Sequence, residues 1–264
     1  MKHVLVKRLL VLALVITFST MSSVHAGSKT GVILMHGKWG QSSAKSPVGK
    51  LKSALEEAGF LVAAPDMPWS KSRLFDKDFD EAMSEIDKIV AELNSKGASK
   101  VVVGGHSIGA NAALGYGARR EGLAGVLAIA PGHVPEMGRW RDRFKFHIDK
   151  AREMIAAGKA DETMKFTDNN QGKDRVLTLK ARVIASWFSP EVGAVMPINA
   201  ANIKPNTPLL WIIGKKDRLL KRGQDYVFNK APPHPKSRYQ VVSGGHKATP
   251  TIGKAEIIKW LKSL

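Results

Sequence analysis

Short, unbroken apolar runs alternate with longer amphipathic stretches along the chain, and this alternation leaves few architectures open. The runs are 30–35 (TGVILM), 60–64, 100–103 (KVVV), 124–130 (AGVLAIA), 208–213 (PLLWII) and 238–242 (RYQVV). A strand that is apolar on both faces must be covered on both faces, as in a parallel sheet between helical layers. The intervening segments supply those layers. Residues 47–58 carry Val48, Leu51, Leu55 and Ala58 at helical spacing and stop at Gly59. Phe79, Met83, Ile86, Ile89, Val90 and Leu93 mark a long amphipathic helix. Residues 110–118 are rich in small side chains and read as a tightly packed helix, and Ile257, Ile258, Leu261 and Leu264 lie on a closing one. The expected fold class is α/β: a mostly parallel sheet of about six strands with helices on both faces.

The alternation breaks between Gly132 and Lys204. That stretch is charged, with Trp140, Phe144, Phe146, Met154 and Ile155 among its apolar residues. It is too long for a simple crossover, so residues 132–204 are expected to form a helical, cap-like insertion over the carboxyl edge of the sheet.

The first 26 residues read as an address. Lys2, Lys7 and Arg8 precede an apolar run from Leu9 to Phe18, and Val24-His25-Ala26 places small residues where a signal peptidase cuts. The run is about half the ~20 residues that a spanning helix needs. The expectation is a cleaved signal peptide over 1–26, a secreted or periplasmic mature domain over 27–264, and no membrane span in the mature chain.

Composition removes several classes of chemistry. Hydrophobic residues are 44% and charged residues 24% of 264, which supports a sizeable core and excludes wholesale disorder. The chain has no cysteine, so disulfides, iron–sulfur clusters, cysteine-ligated zinc and thiol nucleophiles are excluded. Lys and Arg number 41 against 23 acids, a formal charge of +18. Arg139, Arg141, Arg143, Lys145, Lys150 and Arg152 form a basic stretch with only Asp142 and Asp149 among them. It reads as a solvated helix face, or as a surface that attracts an anionic envelope component or an acidic substrate. No nucleic-acid-binding module accompanies the charge, so no specific nucleic-acid partner is expected.

The chemistry gathers at strand ends. Gly105-His106-Ser107-Ile108-Gly109 matches G-x-S-x-G, a pattern with little specificity alone. Here it follows an apolar strand and opens a helix, the context that a nucleophile elbow requires. A serine hydroxyl needs a base, and His246 in Ser243-Gly244-Gly245-His246 follows the last strand. A base needs an orienting acid, and Asp217 follows the PLLWII strand. Glu136, after the preceding strand, is the second candidate for that acid. Metal-ligand spacings such as H-E-x-x-H are missing, and no metal or organic cofactor is expected.

The order Ser107, Asp217, His246, each after the expected strand, resembles the α/β-hydrolase superfamily over nearly all the mature chain. The resemblance implies Ser107 as nucleophile, His246 as general base then acid, and Asp217 as its orienting carboxylate. The superfamily's His-Gly turn corresponds to His36-Gly37, which implies an oxyanion hole from the backbone N–H groups of Lys38 and Ile108. Trp39 adds to the wall or supplies that donor instead. The superfamily's first two strands are missing, which leaves a minimal sheet. His36 and His106 flank the site and are expected to make structural hydrogen bonds. His133 is expected to line the pocket, and Met67 and Trp69 either wall it or bury the insertion against the body, as do Trp187 and Phe188. The implied activity is a serine hydrolase of the carboxylesterase or lipase kind, acting on a small or lipid-like acyl substrate through an acyl-enzyme. Acyl transfer to an envelope acceptor, and non-catalytic binding to anionic surfaces, are the alternatives that the sequence leaves open.

Overall fold

The computed structural model describes residues 29–264; the expected leader over 1–26 lies outside the described residues. Six strands form a sheet in the order β2-β1-β3-β4-β7-β8: β1 (Lys29–Met35), β2 (Leu61–Ala63), β3 (Ala98–Ser107), β4 (Gly125–Pro131), β7 (Leu209–Gly214) and β8 (Arg238–Val242). Every neighbouring pair is parallel. Alternate residues divide between two cores, as the twofold repeat of a strand demands. Val32, Leu34, Val102, Leu127, Ile129, Leu210 and Ile212 pack with α1 (Pro47–Glu57) and α8 (Lys254–Lys262) on one face. Ile33, Met35, Val101, Val103, Val126, Ala128, Trp211 and Ile213 pack with α2 (Phe79–Ser95) and α3 (Ile108–Arg119) on the other.

Local chemistry fixes where these helices begin. Ser46 caps α1, its hydroxyl accepting from the Gly49 N–H, with Pro47 in the first turn. Asp78 and Glu81 form a reciprocal capping box on α2. A short helix α7 (Thr249–Ile252) precedes α8, so the closing helix is broken in two. Strand β3 runs to Ser107, four residues beyond the KVVV run, because Gly104, Gly105 and His106 pair with β1 or β4.

The insertion between β4 and β7 corrects the expectation of an all-helical cap. It holds α4 (Gly138–Ala156), α5 (Ala181–Phe188) and α6 (Met196–Ala201), and also an antiparallel hairpin of β5 (Thr163–Asn170) and β6 (Lys173–Lys180). Gln171 and Gly172, both at positive φ (52° and 87°), make its two-residue turn, the backbone that matches hairpin twist. Only one side of the hairpin is buried, by Phe166, Asp168, Leu177 and Leu179, and charged residues between them hide the alternation in the sequence. Phe144, Phe166 and Phe188 pack together with centroid separations from 4.3 to 5.4 Å and join α4, the hairpin and α5. Arg182 on α5 pairs with Asp78 and Glu81 at the start of α2, which ties the insertion to the body.

Candidate active site

The sheet order places the site. The chain steps from β1 outward to β2 and then returns past β1 to β3, so the connections leaving β1 and β3 diverge. Ligands of open α/β sheets bind beyond the carboxyl ends of the strands at such a switch point. His36-Gly37-Lys38 leaves β1 there, and Ser107 ends β3 beside it.

Ser107 sits at φ 59° and ψ −120°, a conformation that L residues rarely adopt. The flanking glycines are required by close approach. A Cβ on Gly105 would lie 2.7 Å from the Met35 carbonyl oxygen, and one on Gly109 would lie 2.6 Å from that oxygen and 2.8 Å from that of His36. The elbow is thus pressed against the end of β1, and only glycine fits on either side of the serine.

Three side chains meet at the elbow. His246 Nε2 lies 3.0 Å from Ser107 Oγ, and its Nδ1 lies 2.7 Å from Asp217 Oδ2. A carboxylate facing Nδ1 fixes the proton there and leaves Nε2 as acceptor for the serine hydroxyl. Asp217 is buried, and its other oxygen accepts from the Leu219 N–H, capping the turn that follows β7. The loops that carry Asp217 and His246 hold each other through backbone: Lys215 N–H donates to Val242, and Lys216 N–H to Gly244, each at 2.8 Å. Glu136 is elsewhere, accepting from the Tyr226 hydroxyl, with its carboxyl pushed upward in pKa by burial.

The other histidines hold backbone in place. His36 Nε2 accepts from the Met67 N–H at 3.0 Å while Nδ1 faces the Gly37 carbonyl, so the ring is neutral, and burial holds its pKa down. His106 donates to the His246 carbonyl at 2.9 Å; burial, reinforced by His246, pushes its pKa down to about 4. His133 faces the Trp187 carbonyl at 2.7 Å, and burial, with the nearby Lys38 charge, pushes it down to about 3.

Lys38 and Ile108 both line a cavity of about 170 Å³ that also touches Ser107, Gly132, His133, Trp140 and Phe144. The Ile108 N–H opens α3, where no intrahelical acceptor exists. The Trp39 N–H is committed to the Trp69 carbonyl at 2.9 Å, which removes it as an oxyanion donor. Trp39 does line an adjoining cleft, whereas Met67 and Trp69 line none of the space around Ser107. They are 1% and 0% exposed, and Trp69 packs edge-on against Trp187 at 5.3 Å. Of the two readings, pocket wall or burial against the insertion, the geometry excludes the first and matches the second: both are struts under the loop after β1, where Trp69 also donates to the His36 carbonyl.

The hairpin, absent from the sequence expectations, forms the roof. Gln171 lines all three spaces that border Ser107 or His246. Lys38 Nζ reaches Asp168 Oδ1 at 2.7 Å and the Asn169 carbonyl at 3.3 Å, while Asn170 Nδ2 donates to the Lys38 carbonyl. The Asn-Asn-Gln-Gly string was a turn signal that could have located the hairpin tip. Among the described residues no three His, Asp or Glu side chains converge as a metal site, and no helix is long and apolar enough to cross a membrane.

A parallel sheet of this order, with a serine elbow at its switch point, defines an α/β-hydrolase. The family described as serine aminopeptidase, S33, matches residues 27–248, and the chain belongs to that family of serine hydrolases. Solved structures agree on the fold. A monoacylglycerol lipase from Paleococcus ferrophilus superposes with a TM-score of 0.63 at 22% identity, covering 89% of this chain and 96% of that one. A thermostable carboxyl esterase from Bacillus coagulans gives 0.60 at 15% identity, with 89% and 90% covered. An esterase from Pyrococcus furiosus gives 0.60 at 19%, with 90% and 82% covered. No curated protein sequence matches significantly.

Proposed function

We propose that this protein is an exported serine carboxylesterase. The observation that carries the reading is the hydrogen-bonded series from Ser107 through His246 to Asp217 beside a small, largely apolar cavity. Ser107 Oγ attacks the ester carbonyl as its proton passes to His246 Nε2, and Asp217 stabilises the imidazolium. The Lys38 and Ile108 N–H groups receive the oxyanion, each donor contributing about a hundredfold or more in rate. His246 then protonates the departing alcohol, leaving an acyl-Ser107 ester. Water, deprotonated by His246, releases the carboxylic acid and restores the serine.

An ester fits this site better than a peptide with a free amino terminus. An α-ammonium needs an unpaired carboxylate, and the acids lining the clefts among the described residues, Asp174 and Asp217, are bonded to Arg143 and His246. The structural neighbours named as lipases and esterases agree with this choice. Export rests on residues 1–26, and a mature terminus at Gly27 is the expected result of N-terminal sequencing. The test of function is labelling with a fluorophosphonate probe beside a panel of short-chain esters and aminoacyl amides. Wild type should label and cleave esters; Ser107→Ala should do neither and melt within a few degrees of wild type. Labelling of Ser107→Ala, or amide cleavage that outpaces ester cleavage, overturns the proposal.

A further inference from the structure

Two clefts of about 420 and 600 Å³ open on either side of the Ser107–His246 contact. Their charge is predominantly positive, the two acids present, Asp174 and Asp217, being bonded to Arg143 and His246. The larger is lined by Arg139, Arg143, Lys216 and Arg218 together with His246, and the smaller by Lys173 and Lys247 besides Lys38. Arg143 is paired with Asp174 and Lys38 with Asp168. Arg139, Lys173, Lys216, Arg218 and Lys247 have no carboxylate within ion-pair distance among the described residues, and all five are exposed. Arg73, Arg120, Arg152 and Arg182 each hold one or more carboxylates. The surface as a whole is basic, and cations such as Lys88, Arg175, Arg222 and Lys254 also stand outside every ion pair among the described residues; what sets these five apart is their place on the walls of the two clefts beside Ser107 and His246.

Cations lining a cleft with low-dielectric walls focus their field into it and raise the local concentration of anions. Guanidinium groups add a planar fork suited to phosphate or carboxylate oxygens. The side on which the anion lies is assigned from the proton donor and the size of the two spaces it borders. His246 must hand its proton to the leaving oxygen, and it lines both the small cavity and the wider cleft that carries Arg139, Lys216 and Arg218; the wider, cation-lined cleft is the one assigned to the alcohol. The acyl group is left with the cavity of about 170 Å³ bounded by Ile108, Val134, Pro135 and Phe144, which has room for a short chain.

We infer that the substrate is a short-chain ester whose alcohol portion carries a phosphate or carboxylate, seated by Arg139, Lys216 and Arg218. This inference rests on the esterase reading and narrows it to one substrate class.

The test compares four butyryl esters: nitrophenyl butyrate, monobutyrylglycerol, monobutyrylglycerol phosphate and the butyryl ester of glyceric acid. Wild type at low ionic strength should prefer at least one anionic glycerol ester over the neutral one by about tenfold or more in kcat/KM, mostly through KM. The two anionic arms distinguish phosphate from carboxylate. The preference should shrink to about threefold or less in concentrated salt. It should shrink equally in a variant carrying Arg139→Gln, Lys216→Gln and Arg218→Gln. The readout is the ratio between esters, so a general loss of activity in the variant does not imitate the effect. Equal or better use of monobutyrylglycerol by wild type overturns the inference and leaves the esterase reading standing. Cleavage of nitrophenyl butyrate without cleavage of any glycerol ester does the same. Failure on all four esters, with no fluorophosphonate labelling, overturns both.

Discussion

Replacing Asp168 by Asn isolates the contact that joins the roof to the loop after β1. The carboxylate is 0% exposed, and Lys38, whose side chain is 8% exposed, is its partner at 2.7 Å. The Lys38 ammonium would keep the Asn169 carbonyl at 3.3 Å and the Phe188 and Phe75 rings at 5.2 and 5.7 Å, but no other carboxylate among the described residues lies within ion-pair distance of it. Removing the charged partner of a buried ion costs about 3–5 kcal/mol. For a chain of this size each kcal/mol moves Tm by about 2–4 °C, which gives a fall of roughly 6–20 °C. Lys38→Met alone should cost a similar amount, because it strands the carboxylate. The double variant, Lys38→Met with Asp168→Leu, removes both charges and should recover most of the loss. The double-mutant cycle is therefore expected to show a coupling of at least ~2 kcal/mol by chemical denaturation. Activity should follow the loop, since the Lys38 N–H is the proposed oxyanion donor. In Asp168→Asn, kcat should fall about tenfold or more while KM moves less. Additive single losses, or an Asp168→Asn protein that melts within a degree or two of wild type, would refute the reasoning.

Two further outcomes follow from the same geometry. A Cβ on Gly132 would stand 2.8 Å from Ser107 Oγ and 3.4 Å from His246 Cε1; Gly132→Ala should therefore lower kcat/KM about a hundredfold with little change in Tm, measured by ester turnover and melting. His106 has its folded pKa pushed down to about 4 from an ordinary 6.5, so the unfolded chain binds the extra proton between those values. Its contribution is intact above about pH 6.5 and is lost as pH falls toward 4; His106→Gln, which can still donate to the His246 carbonyl, should show a shallower fall of Tm over that window.

Much of the catalytic arrangement was legible because its parts are punctuated. Each of Ser107, Asp217 and His246 stands a few residues beyond an apolar run, and a parallel sheet brings the carboxyl ends of its strands to one edge. Asp217 meets His246 with one carboxyl oxygen and caps the following turn with the other. What escaped the sequence lies in tertiary packing. Trp69 reads equally as pocket wall or as packing for the insertion, and only the contact with Trp187 decides for packing. The β5–β6 hairpin has only four buried residues to signal its period, one of them the aspartate that pairs with Lys38. A buried charge on a strand breaks the apolar alternation that reveals strands, so its best-anchored residue was also its best-disguised one.

The glycines around Ser107 have a consequence for how such a site can diversify. Gly105 and Gly109 are fixed by the carbonyl oxygens of Met35 and His36, so the spacing between the serine and the loop after β1 is held by main chain against main chain. The clefts beside it are made from side chains of α4, the hairpin tip and the loops after β7 and β8. Reactivity and substrate choice thus reside in different materials. On the proposed reading, drift among the exposed arginines and lysines retunes which ester is drawn in, while the geometry at Ser107 passes unchanged from one variant to the next.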